Sequence, residues 1–304
     1  MPVDRGLNGW LVIDKPQGLT SSRVVERVRR ATGAKTGHAG TLDPLATGVL
    51  PIALGEATKT IAYAMDSRKC YRFRIRWGVA CTTEDSDGEI VGVSEARPEP
   101  AEIEAMLPRF TGAVMQTPPV YSAIKIAGHR AYALARAARP PVLNPRPVEI
   151  VSLRLIAIPD RDHADCEAVV GKGTYIRALA RDLAWALGTL GHVAALRRLS
   201  VGRFTEAQAI SLESKGNSQH ILSACGHLLP LEAALDGIPA LTLAAAEAAR
   251  LRCGQSVAVR GAGGLAQPER FVAGTVVSAW HDQSLVALAR VEDGSLRPLR
   301  VINW

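Results

Sequence analysis

A chain of 304 residues with 47% hydrophobic and 21% charged side chains has the composition of a globular protein, long enough for one large domain and a small one. Its five cysteines are odd in number with no C-x-x-C pair, and its seven histidines are scattered. This excludes a disulfide framework and a zinc cluster and fits reduced thiols in a cytoplasm. The net charge of +7 is concentrated, because residues 1–80 hold 13 Lys/Arg against 6 Asp/Glu. Such a local excess suits either a polyanion such as nucleic acid or a solvated basic face.

In chain order, "GWLVIDKPQG" from Gly9 predicts a short strand ending in a Pro-Gly turn. Its apolar run is too short for a signal peptide, and no stretch approaches the ~18 apolar residues of a membrane span. "TSSRVVERVRRATG" predicts a helix capped by Ser21 or Ser22, with Val24, Val25 and Val28 on one face and Gly33 at its end. Arg23, Arg27 and Arg30 form a basic stripe on it. The loop "GHAGTLDPLATGVLP" follows, and His38 and Asp43 are its only ionisable residues. A helix is expected within "GEATKTIAYAMDS".

"YRFRIRWGV" alternates Tyr71, Phe73, Ile75 and Trp77 with Arg72, Arg74 and Arg76, which predicts a strand with rings on one face and arginines on the other. A turn and strand in "TTEDSDGEIVGV" and a helix in "PAEIEAMLPRF" come next. Residues 116–147 read as loop with one short helix, stopped by Pro140, Pro141, Pro145 and Pro147. "VEIVSLRLIAI" and "ADCEAVVGKG" read as strands, and "TYIRALARDLAWALG" as a helix. Without a regular βαβ rhythm, the expected fold is α+β, a mixed, largely antiparallel sheet flanked by helices. A boundary is expected near residue 235. Beyond it, a helix in "LAAAEAARLRCG" and strands in "SVAVR", "FVAGTVVSAW", "LVALARV" and "LRPLRVINW" predict a small β-barrel-like domain or sandwich.

Asp43 allows two readings. Asp before Pro is a good helix cap or turn. A lone carboxylate among Gly, Thr, Leu and Ala, given one cationic partner, would also stay ionised and poorly hydrated, as a nucleophile requires.

"GHAGTLDPLATGVLPIALGEATK" resembles the signature of the TruB family of pseudouridine synthases, which isomerise a uridine in the T-loop of tRNA. "DKPQGLTSSRVV", "YRFRIRWG", "DSDGEIVG", "QTPPVYSAIKIAGHRAY", "GTYIRALARDLAWALG" and "AALRRLSVG" resemble further family blocks in family order, to about residue 205. The resemblance implies a catalytic domain over 1–235 with an RNA-gripping insertion at about 116–147, and a PUA-like RNA-binding domain over 236–304. It implies metal-free and cofactor-free chemistry on the T-arm of tRNA by a cytoplasmic monomer. By resemblance, Asp43 acts at C1′ of the ribose, by attack or by removing a sugar proton. Tyr71 stacks on the uracil and is the candidate base or relay, where the residues alone allow a core tyrosine. Arg177 pairs with the catalytic carboxylate, where the residues alone read as a surface helix arginine. Tyr175 and Leu196 wall the uracil pocket. His38 fills the gap left by the flipped nucleotide, or else is a loop histidine bonded to backbone. Asp85 matches an aspartate near the site, although "CTTED" departs from the family's Thr-Asp-Thr pattern with Thr82 in the Asp slot. Lys59 lies in a matching block and is an expected phosphate contact.

Three other readings compete. The guide-RNA-dependent branch shares the Gly-Thr-Leu-Asp-Pro core, but "LATGVLPIALGEATK" looks like the stand-alone bacterial type. A catalytically idle RNA-binding or RNA-folding helper would not need Asp43, Tyr71 and Arg177 together. A carbohydrate-active enzyme would need a second carboxylate partnering Asp43.

Overall fold

A computed structural model describes residues 6–126, 128–137, 139–212, 218–258 and 272–304. The elements begin with β1 (Gly9–Lys15), α1 (Ser21–Thr32), β2 (Thr36–His38), β3 (Thr47–Leu54), α2 (Ile61–Asp66) and β4 (Lys69–Trp77). They continue with β5 (Val79–Cys81), β6 (Ile90–Val93), α3 (Pro100–Met106), β7 (Gly112–Gln116), β8 (Lys125–Ile126), β9 (His129–Arg130) and α4 (Ala131–Arg136). Next come β10 (Arg146–Asp160), β11 (His163–Val170), α5 (Ile176–Ala186), β12 (Gly191–Val201), β13 (Phe204–Thr205), β14 (Ile210–Ser211) and α6 (Ser218–Ala224). The C-terminal part holds β15 (Ala240–Thr242), α7 (Ala245–Arg252), β16 (Val257–Ala258), β17 (Val276–His281), β18 (Ser284–Glu292) and β19 (Ser295–Val301).

A ten-stranded sheet runs β14-β1-β3-β12-β4-β11-β10-β7, with β13 on β12 and β2 on β3. Only β1/β14 and β3/β12 pair in parallel, so the sheet is mixed and largely antiparallel, as expected. Period-two alternation sorts its side chains onto two faces. Leu11, Ile13, Leu50, Ile52, Phe73, Ile75, Trp77 and Leu196 pack with Val24 and Val28 of α1, Ile103 of α3 and Leu179 and Leu183 of α5. Trp10, Val12, Val49 and Ala53 point the other way and meet Leu231, Leu285, Leu288 and Ile302. The C-terminal strands form a five-stranded sheet, β15-β17-β18-β19-β16, curled into a half-barrel over its own apolar cluster with α7.

Several local expectations are corrected. The cap of α1 is Thr20, whose hydroxyl accepts the Arg23 N–H at 3.2 Å. Ser21 is buried inside the first turn and exchanges hydrogen bonds with Leu42 (3.1 and 2.8 Å). Residues 55–60 are a 3₁₀ turn before α2. Pro147 lies inside β10, opposite Met115 of β7. The β8–β9 hairpin and α6, too short to show a period, were not expected. Of "SVAVR" and "FVAGTVVSAW", Val259, Arg260 and Phe271 lie outside the described residues.

Candidate active site

On the α5 side of the sheet, the apolar rows end in polar side chains. In β1 the inward series Leu11, Ile13 is continued by Lys15. In β4 the series Trp77, Ile75, Phe73 ends in Tyr71. In β12 Leu196 is followed by Arg198. Register places these ends in one row: Lys15 opposite Gly48, Gly48 opposite Arg198, Arg198 opposite Tyr71. The loop carrying Asp43 lies over this row.

The loop is not a helix start, so of the cap and turn readings of Asp43 the cap fails and the turn holds. Residues 44–46 make a turn closed by the Ala46 N–H on the Asp43 carbonyl at 3.1 Å. Its backbone is fixed from below by Arg198, which is 1% exposed. The Arg198 guanidinium donates to the carbonyls of Val49 (2.7 Å), Gly40 (3.0 Å) and Thr41 (3.5 Å). Lys15, also buried, donates to the carbonyls of Pro16, Leu19 and Pro44 at 2.9, 2.8 and 3.3 Å. Burial lowers its pKa to about 8, with Asp43 pulling upward and Arg198 downward. Neither Lys15 nor Arg198 stood out in the sequence. The signal that could have found them is a cation at a core-facing position of an alternating strand.

The Asp43 carboxylate, one third exposed, meets Arg177 on the first turn of α5. Arg177 Nε donates to Oδ2 at 2.9 Å and Nη2 to Oδ1 at 3.2 Å, a fork that fixes the carboxylate plane. Nη1 also donates to the Thr83 carbonyl (2.7 Å) and Nη2 to the Tyr121 carbonyl (2.9 Å). Asp85, 4% exposed, stands 3.6 Å from Arg177 Nε. It accepts hydrogen bonds from the Thr83 hydroxyl and the Asp87 N–H. Burial pushes the Asp85 carboxyl above its ordinary range, against the Thr83 hydrogen bond and the Arg177 charge, while Asp43 adds to the rise. Arg177 is buried, yet Asp43 and Asp85 hold its pKa above the ordinary arginine value. It is therefore a fixed cation and not the surface arginine its helix suggested.

Tyr175 stands at the N-cap of α5. Its main chain is clasped by the Gln116 amide, which accepts its N–H (2.8 Å) and donates to its C=O (3.1 Å). The Arg146 guanidinium lies 5.4 Å from the Tyr175 ring centre. Leu196 is 7% exposed within the apolar cluster, opposite Phe73. His38 ends β2, opposite Ile52, and its buried Nδ1 has no hydrogen-bond partner, unlike a backbone-bonded loop histidine. Burial, then the Arg198 charge, lowers its pKa, which keeps the ring neutral at pH 7. A cavity of about 290 Å³ beside it is lined by Ser22, Val25, Glu26, Arg29, Gly37, His38 and Ile61.

Lys59 is placed elsewhere. Its ammonium is held by Glu56 (2.6 Å) and the Val301 carbonyl (2.7 Å), which ties the 3₁₀ turn to the C-terminal sheet. The arginines on the other face of β4 are largely neutralised. Arg74 forks onto Asp165 (2.7 and 2.8 Å) and Arg72 meets Glu167 (3.0 Å). Among the described residues no His, Cys, Asp and Glu side chains group to hold a metal, and no helix is long and apolar enough to cross a membrane.

A sequence model of the TruB family pseudouridylate synthase N-terminal domain matches residues 28–176, and one of the tRNA pseudouridylate synthase B C-terminal domain matches 177–236. The tRNA pseudouridine synthase B of Rhodospirillum rubrum is 49% identical over 300 residues, spanning 98% of this chain and 97% of the relative. That of a Caulobacter species is 50% identical over 303 residues, spanning 98% and 96%. Among solved structures, a chain of an H/ACA RNP bound to a substrate RNA containing 2′-deoxyuridine aligns over 98% of this chain and 86% of that one, with TM-score 0.74 and 21% identity. A chain of a Cbf5-Nop10-Gar1 complex aligns over 98% and 88%, with TM-score 0.72 and 24% identity. These two share the fold.

Proposed function

Since the chain belongs to the TruB family of pseudouridylate synthases, we propose that it isomerises uridine to pseudouridine in the T-loop of tRNA, at position 55. The observation that carries this reading is the Asp43–Arg177 fork, set on a loop that two buried cations hold from below.

The reaction breaks the N1–C1′ bond, turns the uracil, joins C5 to C1′, removes the C5 proton and leaves a proton on N1. Atoms balance without water or an oxidant. Asp43 acts at the ribose. Arg177 occupies one lone-pair direction on each carboxylate oxygen and leaves others for the substrate. The fork stops the carboxylate rotating, so attack at C1′ or removal of a sugar proton begins from an oriented group. Tyr71 ends the row of rings on β4, where its face can stack on uracil and its phenol can take or relay the C5 proton. Tyr175 and Leu196 wall the pocket, and Asp85 stands beside the Arg177 guanidinium, 3.6 Å from Nε. Neutral His38 offsets part of the unstacking cost of a flipped nucleotide, a few kcal/mol.

The exposed stripe of α1, with Arg23 and Arg30, serves the phosphates. Lys59, ion-paired with Glu56 as Arg30 is with Glu26, is a further phosphate contact in this reading. We assign residues 1–235 to catalysis, with 116–147 gripping RNA. Residues 236–304 form a PUA-like RNA-binding unit, a division supported by the separate apolar cluster of the half-barrel. The working form is a cytoplasmic monomer that needs no guide RNA. The relatives at 49–50% identity carry the name of a tRNA enzyme, while likeness to the H/ACA chains is at 21–24%. Incubation with an unmodified tRNA transcript, followed by nucleoside analysis, tests the reading. Pseudouridine confined to the T-loop is expected, and its absence without added RNA partners would contradict it.

A further inference from the structure

Arg181 follows Arg177 by one turn of α5 and repeats its pattern of contacts. Arg177 takes the carbonyl of Thr83 and the carbonyl of Tyr121. Arg181 takes the carboxylate of Glu84 at 2.5 Å and the carbonyl of Thr117 at 2.8 Å. Each arginine therefore joins one residue of the 83–84 loop to one residue of the 117–121 segment, where the proline-rich stretch leaves the sheet. Nε of Arg181 also donates to Asp182 (2.8 Å), and the guanidinium lies 5.0 Å from the Trp185 ring centre. These four partners surround the Arg181 guanidinium.

Glu84 is bound as firmly for a different reason. Its φ of +61° is in the left-handed region, which a side chain with a Cβ rarely adopts without support. Its N–H donates to the Cys81 carbonyl (3.0 Å) and its carbonyl accepts the Val193 N–H (3.1 Å). Its side chain is mostly buried, and burial pushes the carboxyl upward while Arg181 opposes this. Without Arg181 a buried carboxylate in a strained residue would lose its counter-ion. The adjacent carbonyl, Thr83, is the one that receives Nη1 of Arg177.

We propose that Arg181 and Glu84 are a positioning pair for the pseudouridine reaction. They lock the 83–85 loop and the root of the 116–147 segment together, and so hold the Arg177 guanidinium square to Asp43. Neither residue touches the substrate. The inference rests on the catalytic reading for its kinetic consequence, and on geometry alone for its mechanical one.

Two variants and two readouts test it. Arg181→Met and Glu84→Gln should each lower kcat by about tenfold to 100-fold, the cost of a displacement near 1 Å at a reacting group. The Kd for a T-arm stem-loop should change by less than about threefold. The double variant should be no slower than the worse single one, because contacting residues couple. Without RNA, trypsin should cut within residues 117–147 faster in both variants than in the wild type. Unchanged kcat in both variants, equal losses in kcat and affinity, or multiplying effects in the double variant would overturn the proposal. If the wild type itself forms no pseudouridine, the catalytic reading falls and the protease rates alone decide the lock. Equal rates in wild type and variants would then overturn it.

Discussion

Gly48 of β3 lies against the main chain of Arg198 in β12. A Cβ at Gly48 would stand 2.2 Å from the Arg198 carbonyl oxygen and 2.9 Å from its nitrogen, and the Gly48 φ is +100°. Only glycine permits both the backbone conformation and the approach. The approach brings Arg198 under the Asp43 loop, where it reaches Val49, Gly40 and Thr41.

Gly48→Ala should therefore destabilise the protein by at least ~3 kcal/mol, since left-handed φ alone costs about 1–2 kcal/mol and the backbone clash adds to it. Gly18→Ala is the comparison. Gly18 has φ +82° with open space around it, so about 1–2 kcal/mol is expected there. Urea unfolding of the two variants measures the difference.

Arg177→Lys keeps the charge but removes the fork that meets both Asp43 oxygens and the Thr83 and Tyr121 carbonyls. A kcat roughly 100-fold lower is expected, with stem-loop affinity little changed. Single-turnover kinetics checks this, because it separates binding from chemistry.

Tyr71→Phe keeps the ring at the end of the β4 row and removes the phenol. Binding should be retained while product formation stalls. Turnover near the wild-type rate would remove Tyr71 from proton transfer.

Lys15 gives a pH dependence of stability. Its pKa of about 8 in the folded protein lies below the ordinary 10.5. Between those values the unfolded chain holds a proton that the folded chain has released. The contribution of Lys15 to stability therefore rises with pH from 8 toward 10.5, and its burial cost is fully present below 8. The stability of the wild type relative to Lys15→Gln should shift in favour of the wild type across that window. Urea unfolding at pH 7.5, 9 and 10 measures it. A constant difference would mean that Lys15 does not titrate there.

The fold class, the alternation of β4 and the neutral loop around Asp43 were legible because each rests on local pattern: period two, period 3.6, and turn residues. The partner of Asp43 was not. Arg177 lies 134 positions away on a helix, and residue type alone makes it a surface arginine. The family resemblance named it, and burial with four acceptors explains why it is there. Lys15 and Arg198 were hidden because a cation at the end of an apolar strand reads as the strand's exit to water. Their acceptors are main-chain carbonyls, which leave no mark in sequence. For Lys59, a lysine in a matching block suggested phosphate, and its contact with the Val301 carbonyl comes from long-range packing that leaves no mark in sequence.

The most direct test of the account is release of tritium from a T-arm stem-loop carrying uridine labelled at C5, with a chelator present, by the wild type and by Asp43→Asn. The account predicts metal-independent release by the wild type and none above background by the variant, with stem-loop affinity largely intact. Release by Asp43→Asn at a comparable rate, or no release by a wild type that binds the stem-loop tightly, would contradict it.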